Sequence, residues 1–237
     1  MSAAPDATGE RELRIAVEGG EIEATFAAVP AARGLVIFAH GSGSSRQSPR
    51  NRFVARAMQH AGFATLLIDL LTGAEERIDR ATAELRFDIP LLARRLVAAT
   101  EASRGWDETW RLRFGYFGAS TGAAAAIVAA TERRGEIGAI VARGGRPDLA
   151  GDALEALEVP TLFIVGGADA IVLRLHRETL PRIHPPAELV TVPNATHLFE
   201  EPGALDDLAR LATRWFARHL ARDEGANADP LEGSSQA

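Results

Sequence analysis

The stretch "GYFGASTGAAAA", Gly115 to Ala126, sets Ser120 among residues almost too small to pack anything, between the apolar run "RFGYF" and the helix-like "AAAAIVAAT". Gly118, Ser120 and Gly122 give the order G-x-S-x-G in a strand, turn, helix context. A serine on such a turn holds unfavourable backbone angles while strand and helix nearly touch, so a Cβ at either flanking glycine would collide with its neighbours. The hydroxyl is pushed into the open, beside helix N-terminal amides that favour developing negative charge. The plainer reading is a glycine-rich turn whose serine merely caps the helix that follows.

The rest of the chain supplies the context. Short apolar runs recur: "LRIAV", "IEATFAAV", "GLVIFA", "ATLLID", "RFGYF", "GAIVA", "TLFIV" and "LVTV". They have strand length and are mostly continuous rather than alternating, which is the mark of strands buried on both faces. Helical segments separate most of them from the third onward. Ser48 and Pro49 open one that stops at Gly62, and Asp88 and Pro90 open another, "PLLARRLVAATEA". This alternation predicts an α/β fold, a mostly parallel sheet of eight strands with helices on both faces. The first two runs, joined by Gly19 and Gly20, read as an antiparallel hairpin at its edge.

Ligands of such sheets bind beyond the carboxyl ends of the strands, so the residues after each run matter most. A serine nucleophile needs a base, and the base needs an orienting carboxylate, in the chain order Ser, Asp/Glu, His. Asp169 follows "TLFIV" in the loop "GGAD", and His197 follows "LVTV" in "PNATHLFEEPGAL". Glu200 and Glu201 are rival orienters. Among the other histidines, His60 and His219 lie in helical patterns, His176 and His184 flank a surface helix, and His40 comes too early in the chain. An oxyanion hole would take the Thr121 amide and one from "HGSGSS", with Ser42 favoured and Gly43 its neighbouring alternative.

These residues resemble the α/β-hydrolase superfamily, and within it the dienelactone-hydrolase-like group, on "HGSGSSRQSPRN", "GYFGASTGAAAA", "RGGRPDLA", "GGADAIV" and "THLFEEPGAL". The resemblance runs from about Gly34 to Leu220 and implies the eight-stranded hydrolase sheet, Ser120, Asp169 and His197 as triad, and no cofactor. Enzymes of the group that open dienelactones use a cysteine nucleophile, whereas this chain has serine there and no cysteine anywhere. Some similar sequences are joined to a phosphoribosyltransferase domain, and we expect none here, for want of room and of a phosphate-binding lysine.

Composition narrows the chemistry further. All 26 basic residues are arginine, which leaves no lysine for a Walker-type phosphate loop, a Schiff base or pyridoxal chemistry. A net charge of -6 with scattered arginines gives no basic stripe for nucleic acid. No segment approaches the length of a membrane span and no leader pattern opens the chain, so a cytoplasmic protein acting on a small ester or lactone is expected, its oligomeric state open. We expect loose ends at residues 1–10 and 222–237 around one hydrolase domain at 11–221. No metal site is expected.

Arg143 and Arg146, in "VARGGRPDLAG", fall on the same sheet edge as Ser120 and could clamp a substrate carboxylate; the simpler reading pairs them with Asp148 or Asp152. Asp69 and the "RFD" of Arg86 to Asp88 read as a structural network near the cleft. The segment "RPDLAGDALEALEVP" is too short for a helical lid, which favours an open cleft and a short acyl chain. Two rival readings remain. "GLVIFAHGSGSSR" followed by "ATLLID" mimics a dinucleotide βαβ unit, with Asp69 as its acidic residue and Arg46 where the third glycine belongs. A hydrolase-like fold used only for binding is the other.

Overall fold

The computed structural model describes residues 9–184 and 186–220. Of the stretches read as loose, 1–8 and 222–237 lie outside these residues. Strand β1, Glu10–Val17, already begins inside the first ten.

Strands β2 (Gly20–Ala27), β3 (Leu35–Ala39), β4 (Ala64–Ile68), β5 (Phe114–Ala119), β6 (Ile137–Arg143), β7 (Thr161–Gly166) and β8 (Ala187–Val192) complete one sheet with β1, in the order β1-β2-β4-β3-β5-β6-β7-β8. The hairpin of β1 and β2 pairs antiparallel with β4, Ala24 opposite Ile68, and the pairings from β4 to β8 are parallel. Continuous apolar sequence becomes complete burial: every residue of β3, β4, β5 and β7 is buried.

Helices α1 (Pro49–His60) and α6 (Ala204–Leu220) cover one face around Phe38, Phe117, Phe199 and Phe216. Helix α2 (Gly73–Thr82) stands at the β4 end, and α3 (Ile89–Arg104), α4 (Thr121–Glu132) and α5 (Ala170–Thr179) cover the other face. Local chemistry fixes their starts. Ser48 accepts from the Asn51 amide, Asp88 from Leu91, and Thr72 with Glu75 forms a reciprocal capping box. Among the described residues no helix is long and apolar enough to cross a membrane.

Helix α4 is the one that positions Ser120. Half of its residues are alanine, the best helix former, and it is buried nearly all round between β5 and α3. Small side chains let it come close to the sheet. A Cβ at Gly118 would stand 2.5 Å from Ala123 Cα, and one at Gly122 would overlap the carbonyl oxygens of Ala39 and His40. The collision expected from the sequence is present at both glycines.

Between β6 and β7 the chain makes only short helical turns, Pro147–Leu154, packed on α4 through Pro147, Ala150 and Leu154. No long insertion covers the sheet edge there.

Candidate active site

Ser120 sits between β5 and α4 at φ 50° and ψ −117°, a left-handed backbone that non-glycine residues adopt only under constraint. The constraint is visible in its bonds. Its N–H donates to the Arg143 carbonyl at 3.1 Å, and its carbonyl accepts from the amides of Ala123 and Arg146 at 3.1 and 3.2 Å. Ser120 holds the N-cap position of α4, yet its side chain makes no capping hydrogen bond. The hydroxyl is therefore not spent on the helix, and the plainer reading of the motif fails on that point.

Asp169 follows β7 and His197 follows β8. The His197 Nδ1 lies 2.8 Å from Asp169 Oδ2, with the aspartate side chain 11% and the imidazole 40% exposed. The carboxylate is thus nearly dry while the ring is partly exposed. Asp169 also accepts from the Val172 amide at the start of α5, which fixes its rotamer. Both rival carboxylates are engaged elsewhere. Glu200 pairs with Arg50 at 3.0 Å, and Glu201 is bonded to the Thr196 hydroxyl and neighbouring amides, which lowers its pKa. Gly144, whose preceding carbonyl holds Ser120, lies against the imidazole: a Cβ there would stand 3.2 Å from His197 Cε1. The end of β6 therefore touches the serine turn on one side and the histidine loop on the other.

The loop after β3 closes the remaining side. Gly41 packs so tightly on the nucleophile that a Cβ would meet Ser120 Cβ at 3.1 Å, and Gly41 to Ser44 form a turn with Gly43 at φ 69°. Thr121 is the first residue of α4, where helix geometry gives its amide no intrahelical acceptor. Ser42, Gly43 and Thr121 line one cleft, with Leu70, Leu71 and Leu92 as its apolar part. A wider, acidic cleft continues from it past Ser44, Glu76, Asp69 and Glu23.

His40, set aside as a base, anchors this loop. Its Nε2 accepts from the Leu70 amide at 3.1 Å, so Nδ1 carries the proton and donates to the Gly41 carbonyl at 2.8 Å. Burial pushes its pKa below the ordinary 6.5. Sequence reasoning missed this role, although a histidine directly between a buried strand and a glycine turn was its signal.

Three other expectations are corrected. His176 does not flank a surface helix; it lies within α5, fully buried, its ring edge-on to Phe163. Asp69 and Arg86 do not share a network. Asp69 binds Arg46 at 2.7 Å and accepts from its amide, whereas Arg86 binds the buried Asp79 at 2.7 Å and Asp88 caps α3. Arg146 pairs with Asp148 through two nitrogens, as the simpler reading held, but Arg143 makes no such pair. The engagement of Asp69 by Arg46 also occupies the carboxylate that the dinucleotide reading needed.

Comparison with known proteins agrees with this architecture. The structure superimposes on a crystal structure of dienelactone hydrolase from Anabaena variabilis with a TM-score of 0.87 and 51% identity, over 90% of this chain and 99% of that one. Est1E from Butyrivibrio proteoclasticus matches at 16% identity and a TM-score of 0.72, over 87% of this chain and 98% of that one, which shows the α/β-hydrolase fold alone. A Mycobacterium tuberculosis protein named "Putative phosphoribosyl transferase" is 56% identical over 188 residues, 79% of this chain; the match spans only 42% of that relative. The model of the dienelactone hydrolase family matches residues 22–223, and on that coverage the chain belongs to this family.

Proposed function

We propose that the protein is a serine hydrolase that cleaves a carboxylic ester, a short-chain ester or small lactone, through an acyl-enzyme. In this mechanism His197 takes the Ser120 proton, and Ser120 Oγ attacks the carbonyl carbon. The amides of Thr121 and Ser42, with Gly43 as the alternative donor, hold the oxyanion of the tetrahedral intermediate. Asp169 fixes the imidazole tautomer and stabilises the imidazolium. His197 then gives its proton to the leaving alkoxide, and water, activated by the same base, releases the acid. The cycle needs no cofactor.

The observation that carries this reading is a strained, uncapped Ser120 at the end of β5, on the same sheet edge as the Asp169 and His197 couple at the ends of β7 and β8. A binding module would gain nothing from a serine at φ 50°, where glycine relieves the strain. The short segment between β6 and β7, which leaves no room for a helical lid, supports a short acyl group.

The test is intact mass after incubation with a fluorophosphonate, followed by peptide mapping, for the native chain and Ser120→Ala. A single adduct on Ser120 that the variant lacks is expected. A folded native chain that takes no adduct would sink the reading.

A further inference from the structure

Arg143 is the last residue of β6 and projects to the same sheet face as Ala139 and Val141, which pack with α1 and α6. Only 8% of it is exposed, yet its Nε and Nη1 are both buried without a hydrogen-bond partner. Its neighbour three residues on, Arg146, is satisfied by Asp148. Among the described residues no carboxylate answers Arg143. The charged group acting on it is a second cation, Arg50, at the start of α1, whose Nη1 pairs with Glu200 at 3.0 Å while its Nε is likewise buried and unpartnered. Burial and this like charge together push the Arg143 pKa down to about 10.

A buried, unpaired guanidinium is costly, and buried donors in native proteins are otherwise nearly always satisfied. Two cations whose inner nitrogens lack acceptors call for an anion with several oxygens. The location adds weight: the Arg143 carbonyl holds the Ser120 amide, and the following residue touches the His197 ring. We propose that Arg143, with Arg50 as second cation, forms a binding site for an oxyanion, a carboxylate or a phosphate, beside the His197 loop. The oxyanion is either a group of the substrate itself, which rests on the hydrolase reading, or a free anion, which does not.

The test uses the full chain, Arg143→Met, which removes the charge at similar volume, and Arg143→Lys. Melting temperature is followed against inorganic phosphate and against glutarate, with chloride at matched ionic strength as control. An upward shift of about 3 °C or more in the native chain, lost in Arg143→Met and partly restored in Arg143→Lys, is expected. No anion-specific shift in the native chain would overturn the site, as would an equal shift in Arg143→Met. A stability loss in Arg143→Met without any anion response would mark Arg143 as a packing residue.

The source is read from kinetics on mono-p-nitrophenyl glutarate and on neutral p-nitrophenyl butyrate. If the substrate carries the anion, the ratio of kcat/KM for the charged over the neutral ester falls tenfold or more in Arg143→Met, the loss of one charge-assisted hydrogen bond. An unchanged ratio with an intact thermal response assigns the site to a free anion. An anion response in a chain whose Ser120 takes no fluorophosphonate would keep the site and sink the hydrolase reading instead.

Discussion

The two flanks of Ser120 are built differently. On the β4 flank the cations beside the loop are matched: Arg46 is bound by Asp69, Arg86 by Asp79, and both ring nitrogens of His40 are bonded. On the β6 flank Arg143 is buried with two bare nitrogens beside another cation. The first pattern holds a loop rigid, as the proposed oxyanion hole would require, because these polar groups already have partners before any ligand arrives. The second leaves a buried charge unanswered, which a folded protein tolerates chiefly where function requires it. The matched flank reads as scaffold, and the bare guanidinium of Arg143 is the feature on which the proposed anion site rests.

The largest effect that sharpens this comparison lies between the flanks. Ser120→Ala should lower turnover on a reactive ester by on the order of 10^5-fold with binding largely kept, and Asp169→Asn by about 10^4-fold, because the imidazole is left in the wrong tautomer. Steady-state kinetics on p-nitrophenyl butyrate read both, and a fall of less than tenfold in either would break the assignment of roles.

Next come the flanks themselves. Arg86→Met leaves the buried Asp79 carboxylate, its side chain 4% exposed, without a counter-charge, and should cost about 3 kcal/mol in chemical denaturation. Arg143→Met removes an unpaired charge and should cost nothing or stabilise the ligand-free protein. Equal losses in the two variants would erase the distinction drawn between the flanks.

The smallest effect is on the dependence of stability on pH. Burial holds the His40 pKa below its ordinary 6.5, so the unfolded chain binds that proton first and stability falls as pH drops below 6.5. His176, also buried, acts in the same direction. Replacement of His40 by glutamine should flatten part of that decline in denaturation midpoints measured between pH 7 and 5. An unchanged slope would remove His40 from the account.

Much of this was legible in the sequence, for identifiable reasons. Strand ends are marked by where apolar runs stop, so Ser120, Asp169 and His197 fall on one edge once the runs are parallel. The flanking glycines announce a close approach that only geometry without Cβ allows. Side-chain pairing was less legible, because it depends on distances between segments far apart in the chain. Asp79 reads as one more surface carboxylate of a charged helix until α2 is placed against Arg86. Asp69 and Arg86 looked alike in sequence and turned out to hold different partners. His176 looked like a surface residue because "IVLRLHRE" mixes charge with apolar side chains, and only its contact with Phe163 reveals which side faces inward.

The tight seating of Ser120 also sets which changes this turn can absorb. The turn is locked by close contacts from Gly41, Gly118 and Gly122 and by main-chain bonds to the end of β6, none of which involves the side-chain oxygen. A change of the atom at the tip of residue 120 therefore leaves these contacts in place, whereas a single added methyl at Gly122 has nowhere to go.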